Sequence, residues 1–253
     1  MIDSWLSELE KEYNIEILFA CEAGSRAWGT ATEQSDHDIR FIYRCKDIRS
    51  YLSIRKKPAV LDLSSPFDAV GYDIYKAIEL IRKSNPGIYE WVYSPEIYKN
   101  KGSFLKDLTA IIEEEYSPFS LLKHYQSLKT RNLKEISRKK SFSPSAQKQL
   151  IHVLRAELIS QGIIRNKKVL SPFHLLEESA EFLPAMNEVY IKVTHAKRKG
   201  SLIADSEVQD IISLMESKSS NIEVKADLLK KDQPSIDVLD KWLSKILDLT
   251  KPI

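Results

Sequence analysis

At 253 residues, with 43% hydrophobic and 29% charged side chains, the chain is long enough for a sizeable core and too apolar for a disordered one. A net charge of +2 and only two cysteines, Cys21 and Cys45, exclude a polycation, a disulfide framework and a cysteine-based zinc site. Met1-Ile2-Asp3-Ser4 runs at once into a charged amphipathic segment, and no apolar run approaches the roughly 20 residues of a membrane span, so a cytoplasmic (cytosolic) protein is expected.

Ile2, Trp5, Leu6 and Leu9 recur at helical spacing, which predicts an opening helix to about Glu12. The apolar run Ile17–Cys21 predicts a strand ending at a Gly24-Ser25 turn, where a short helix opens. A second strand is expected from near Asp36 through Ile39, Phe41 and Ile42. Strand side chains alternate faces, so this reading puts Asp36, Asp38 and Arg40 on one face. Two carboxylates so placed repel each other, and a divalent cation would relieve the repulsion. The backbone N–H groups of the Gly24-Ser25 turn suit a phosphate. A phosphate cradle beside metal-binding carboxylates is the equipment of nucleotidyl transfer. The plainer reading of Asp36-His37-Asp38 is a surface turn.

Lys46–Ile54 reads as a short helix, and Pro58–Leu63 and Ser65–Tyr72 as two strands of a hairpin. Asp73 is placed to cap a helix carrying Ile74, Ile78 and Ile81. Five pairs then join a capping residue to proline: Asn85-Pro86, Ser94-Pro95, Ser117-Pro118, Ser143-Pro144 and Ser171-Pro172. Proline suits the first helical turn, so the pairs predict helices at 86–93, 95–99, 118–139, 144–162 and 172–179. Another helix is expected at 105–115, with Ser103 as its cap. In the helix after Pro144, Leu150, Ile151, Leu154, Leu158 and Ile159 form one apolar stripe. Further helical patterns lie near 184–197, 204–216 and 235–249, the last with Ile236, Leu239, Leu243 and Ile246 on one face; polar 216–221 reads as a loop. No strand is expected after Ser120. Strands early and helices late predict an α+β protein, divided into residues 1–116 with the sheet and 117–253 all helical.

The motif GSRAWG at 24–29, followed by SDHDIRFIY at 35–43, resembles the signature of the DNA polymerase β nucleotidyltransferase superfamily. More closely it resembles the RlaP family, a predicted RNA-repair-associated branch. The likeness continues at Gly71-Tyr72-Asp73, at 83–86 and 90–95, more weakly at His124-Tyr125 and 148–155, and fades after the mid-170s. His37 stands where the family carries an aromatic residue, on a side chain expected to point away from the metals. The resemblance implies a small mixed sheet followed by helices that close over a nucleotide. It implies Asp36 and Asp38 as ligands of Mg²⁺, with Mn²⁺ as a substitute, and a third carboxylate on a neighbouring strand. Asp68 is preferred for that third position because it lies within a strand pattern; Asp62 is the reserve, and Asp73 has a competing role as helix cap.

Gly24, Ser25 and Arg26 are then expected at the phosphates of an NTP, with Trp28 in the core or a cleft wall and Arg40 ordering the carboxylates. The bland reading of Arg26 is an ion pair with Glu22 or Glu33. Lys148, His152 and Arg155 share a helical face, and the resemblance makes Lys148 and Arg155 triphosphate ligands. Between Ser120 and Leu170, twelve basic residues face only Glu135 and Glu157, a candidate surface for an RNA acceptor or an ordinary solvated helix face. The function expected is an enzyme, a nucleotidyltransferase moving an NMP to a hydroxyl, most simply an RNA end. The alternatives are a non-catalytic RNA-binding module on the same fold, or nucleotidylation of a protein or small molecule.

Overall fold

The computed structural model describes residues 1–54, 57–138, 142–219 and 226–249. Ile2–Glu12 forms α1, with Leu6 and Leu9 buried as their spacing requires. Asn14 at φ 52° turns the chain into β1 (Ile15–Glu22), which is buried almost throughout. A helical turn, α2 (Gly24–Ala27), leads towards β2 (Asp38–Cys45). The short helix expected near 46–54 is a 3-10 turn at Ile48–Leu52. The two alternating runs form β3 (Val60–Leu63) and β4 (Asp68–Asp73), paired antiparallel.

Asp73 ends β4 and caps α3 (Ile74–Arg82), its carboxylate accepting from the Tyr75 N–H at 3.0 Å. α4 (Pro86–Val92) opens at Asn85-Pro86 as expected. Ser94-Pro95 does not open a helix. The Ser94 hydroxyl donates to the Glu22 carbonyl at 2.6 Å, and the chain continues as an edge strand, β5 (Ile97–Asn100), antiparallel to β1. α5 (Phe104–Glu115) follows. The sheet order is β3-β4-β2-β1-β5, with β2 and β4 parallel and the other pairings antiparallel. Ile39, Phe41 and Tyr43 of β2 join Leu6 and Leu9 of α1 in one core. On the opposite face Tyr72 stacks on Trp91 of α4, ring centroids 4.9 Å apart.

The chain forms two compact units. The first comprises Met1–Gly29, Gln34–Tyr116 and Asp232–Ile253; the second comprises Thr30–Glu33 and Ser117–Lys231. The C-terminal segment, grouped with the helical part by its sequence pattern, thus packs with the sheet. Its helix, α11 (Ile236–Ile246), buries Leu239 and Trp242 and leaves Ile236 exposed, so its packed stripe is rotated from the one read in the sequence. Trp242 lies 5.1 Å from Phe104 between ring centroids, Lys245 pairs with Asp107, and Arg44 pairs with Asp248 at 3.2 Å.

The second unit holds α6 (Pro118–Ser137), α7 (Pro144–Asn166), α8 (Pro172–Phe182), α9 (Pro184–Arg198) and α10 (Asp205–Ser219). Ser117, Ser143 and Ser171 each accept a backbone N–H three residues on, the capping geometry their Ser-Pro pairs predict. Leu150, Ile151, Leu154 and Leu158 of α7 sit at the centre of the unit's core with Tyr190, Val193 and Ile211. Among the described residues no strand occurs after Ser120. The polar run at 216–221 is helical through Ser219, and its last two residues lie outside the described ones.

Candidate active site

Residues at the start of β2 and the neighbouring end of β4 build the site. The parallel register sets Asp38 opposite Asp68 and Arg40 opposite Val70. Arg40 shares the face of the two acids and forks between them: Nη1 donates to Asp68 Oδ1 at 3.0 Å, and Nη2 to Asp38 Oδ1 at 3.4 Å. Arg40 is thus the residue that orders the carboxylates, as expected. The Asp38 side chain is 26% exposed and that of Asp68 58%, so both are open to solvent-borne ligands.

Asp36 stands apart from this pair. β2 begins at Asp38, and Asp36 lies exposed in the loop before it rather than on the strand. Arg26 pins that loop, its Nε donating to the Asp36 carbonyl at 3.2 Å and its Nη2 to the Ser35 carbonyl at 2.6 Å. The guanidinium so engaged is a loop fastener, pairing with neither Glu22 nor Glu33 among the ion pairs of the described residues. Asp62 lies opposite Val70 on β3, one strand farther from Asp38. Asp73 accepts from Tyr51 at 2.8 Å as well as from the Tyr75 N–H, and burial holds its carboxyl above the usual range. Its lone pairs serve the fold.

Gly24 carries the closest approach. Its φ is +56°, and a Cβ there would fall 1.8 Å from Asp38 Oδ2. Only glycine lets the α2 turn press against that carboxylate. Ala23 N–H donates to the Asp38 carbonyl at 2.7 Å, which ties the turn to β2. Ser25 and Arg26 follow on α2, and Trp28 is buried behind them.

Glu22, which the sequence offers only as a possible partner for Arg26, organises the reverse face. It is fully buried, at 0% exposure. Its Oε1 accepts the Asp38 N–H at 2.7 Å, and its Oε2 lies 2.6 Å from His37 Nδ1 and accepts from the Tyr98 hydroxyl. Burial, and then Glu22 itself, raise the Tyr98 phenol, which stays protonated as a donor. A carboxylate only accepts, so His37 presents Nδ1–H to it. His37 also meets Phe67 edge-on, with ring centroids 6.0 Å apart. The His37 ring and the Asp38 N–H are thus both held by the buried Glu22 side chain.

The donor set of Asp36, Asp38 and Asp68 is all oxygen, which suits a hard divalent cation. Arg40 already meets the same electrostatic demand by placing positive charge between two of the acids. Among the described residues no group of three His, Cys, Asp or Glu side chains is gathered closely enough to hold a metal. Chemically the donors fit Mg²⁺; geometrically the structure assembles the pair Asp38 and Asp68, with Asp36 apart from it in the loop before β2.

The remaining candidates belong to the helical unit. Lys148 is exposed on α7, and Arg155, on the same face, is buried. The basic run is partly spoken for: Lys129 pairs with buried Glu157 at 2.8 Å, Arg165 pairs with Glu178 at 3.5 Å, and Lys123 lies over the Phe119 ring. Lys139 and Lys140 lie outside the described residues. Tyr125 is buried, while His124, edge-on to its ring, is exposed, so the two are not an interior pair. No helix among the described residues is long and apolar enough to cross a membrane.

The chain is 28% identical over 239 residues to the uncharacterized protein YcgL of Bacillus subtilis (strain 168), covering 91% of this chain and 90% of that one. It also aligns with the crystal structure of a nucleotidyltransferase-like protein from Exiguobacterium sibiricum 255-15 at 12% identity and a TM-score of 0.31, covering all of this chain and 81% of the other. The model of the family described as the RNA repair pathway DNA polymerase beta family matches residues 1–245. That match takes in both units and every candidate site residue, and the protein belongs to the RlaP family.

Proposed function

We propose that this protein is a Mg²⁺-dependent nucleotidyltransferase that moves an NMP from an NTP to a hydroxyl acceptor, with an RNA end as the acceptor. Family membership and the α+β fold point to a transferase of the polymerase β type. The observation that carries the finer reading is the opposition of Asp38 and Asp68 across parallel strands, beside a turn whose glycine touches Asp38.

Asp38 and Asp68, joined by Asp36, are the residues that would hold the cation. Once bound, such a cation lowers the pKa of the attacking hydroxyl and offsets charge on the leaving pyrophosphate. Mn²⁺ offers the same oxygen preference. The chain's own residues do the rest. The Gly24 turn lets the β- and γ-phosphates approach the backbone without a side chain in the way, and Ser25 supplies an N–H and a hydroxyl for them. Arg40 keeps the two carboxylates aligned and compensates their charge between turnovers. Arg26 holds the Ser35-Asp36 backbone, and Glu22 holds the Asp38 N–H, so the carboxylate face is fixed from both sides.

The test is incubation with each labelled NTP and a mixed RNA pool, with Mg²⁺ or EDTA. Label on RNA is expected for the wild type with Mg²⁺ and is absent with EDTA or in Asp38→Ala. Label that appears on RNA with undiminished rate in Asp38→Ala would remove the carboxylates from the reaction. Label confined to protein or small molecules would keep the chemistry and change the acceptor.

A further inference from the structure

The sheet unit holds a cavity of about 190 Å³ between the end of β2, the turn from β5 into α5, and α11. Arg44 lines it, six residues beyond Asp38 and so about 20 Å along the strand from the acid pair. Trp242 of α11 lines it too, with its ring 5.1 Å from that of Phe104, the first residue of α5. Trp242 is 6% exposed, and its Nε1–H meets no acceptor among the described residues. An indole nitrogen only donates, and a donor buried without an acceptor is unfavourable and rare in a native fold.

A second set of donors stands beside it. α5 begins without a side-chain cap, because the Ser103 hydroxyl turns to Asp107 Oδ2 at 3.0 Å. Among the described residues no acceptor meets the N–H of Gly102 or Ser103, and both residues line the cavity. Gly102 sits at φ +56° with open space where a Cβ would lie. The first N–H groups of a helix carry partial positive charge and suit an anion. The charged side chains here are matched: Lys245 with Asp107, Arg44 with Asp248 and Glu16, and Lys101 with Glu16. The site therefore rests on unmet N–H donors and not on surplus charge. Each lysine ammonium has three donors, so Lys101 and Lys245 can add a bond without leaving their carboxylates.

We propose that this cavity binds a small tetrahedral oxyanion, inorganic phosphate or sulfate, which accepts from Trp242 Nε1–H and from the start of α5. Such an ion answers donors on several sides at once, and hydrogen bonds to a charged acceptor are the stronger kind. The cavity is smaller than the roughly 300 Å³ at which pockets for larger organic ligands begin, so it suits the free ion and not a nucleotide. The bound ion joins β2, the start of α5 and α11, and so fastens the last helix onto the sheet unit. The site is separate from the phosphate positions proposed at Gly24 and Ser25, and it stands whether or not transfer occurs at Asp38.

The test is phosphate titration of the full chain, followed by NMR of its ¹⁵N-labelled indole groups, against sodium chloride at equal ionic strength. Four tryptophans give four indole signals, and Trp242→Phe identifies one by its loss. Phosphate should move the Trp242 signal downfield, saturating in the low-millimolar range, and leave those of Trp5, Trp28 and Trp91 in place. Lys245→Ala should weaken binding about tenfold, while Lys192→Ala on the helical unit should not. Urea unfolding gives a second readout: phosphate should raise the midpoint of the wild type and not that of Trp242→Phe. Lys245 is 58% exposed, so its variant keeps the test decisive should Trp242→Phe fail to fold. An unmoved Trp242 signal at tens of millimolar phosphate, an equal response to chloride, or undiminished affinity in Lys245→Ala overturns the proposal. Tighter binding of AMP than of phosphate at the same signal overturns the assignment to a free ion.

Discussion

Gly24 and Asp38 compete for the same few cubic ångströms. A methyl group on Gly24 would overlap Asp38 Oδ2, and the φ of +56° is strained for any L side chain. Gly24→Ala should therefore displace the Asp38 carboxylate, which cannot retreat because its N–H is held by Glu22 and its carbonyl by Ala23. We expect a folded protein destabilised by about 1–3 kcal/mol whose transfer rate falls about 100-fold, read by urea unfolding and the labelled-NTP assay. Unchanged activity would show that the turn and the carboxylate do not work together. The strand positions of Asp38 and Asp68 were legible in the sequence because alternation is a local property; their opposition across parallel strands was not, and Asp36, read on the same strand face as Asp38, lies in the loop before it. Glu22 was not legible. A carboxylate at a strand end reads as solvated, and its burial depends on Tyr98, which arrives from a strand some 75 residues on.

Among the elements, the serine-proline pairs show how far local chemistry reaches. Three Ser-Pro pairs and Asn85-Pro86 open helices at the prolines, because a side-chain oxygen and a missing N–H answer the demands of a helix start. Ser94-Pro95 carries the same chemistry and fails, because Ser94 bonds to Glu22 and the next residues complete the sheet edge. Tertiary pairing overrides the local signal there. α7 supports a prediction of its own. His152 is held neutral, its pKa pushed to about 3 by burial and by Arg155, Lys148 and Lys197, against an unfolded value near 6.5. Between those values the unfolded chain takes up a proton that the native chain refuses. Stability from this group is therefore complete above about pH 6.5 and is lost as pH falls towards 3. Between pH 7 and 5 the loss should be up to about 2 kcal/mol, and His152→Gln should flatten that part of the pH–stability curve. Parallel curves for the two proteins, from urea unfolding at each pH, would assign the acid sensitivity elsewhere.

At the scale of the molecule, the sheet unit is discontinuous. Its last helix, α11, is separated from Tyr116 by the whole helical unit, yet it packs Trp242 on Phe104 and buries Leu239. The sequence pattern reveals the helix but not its partner, since an amphipathic stripe says which face is apolar and not what it meets. Trp242→Ala should cost about 3–5 kcal/mol in the sheet unit, while Ile236→Ala on the exposed side of α11 should change stability by under about 0.5 kcal/mol. Equal effects from the two substitutions, by denaturant unfolding, would contradict this packing.

That discontinuity bears on how the protein is made. Synthesis runs from the N-terminus, and domains ordinarily fold as they emerge. Here the ribosome delivers Asp38 and Asp68 early, but the helix that seals Phe104 comes only after residue 232. The helical unit, contiguous from Ser117 apart from the short Thr30–Glu33 segment, can form while the sheet still waits for its last piece. A chain halted before that point carries both carboxylates on an unfinished scaffold, so the candidate transferase unit is completed only after the helical unit has been made.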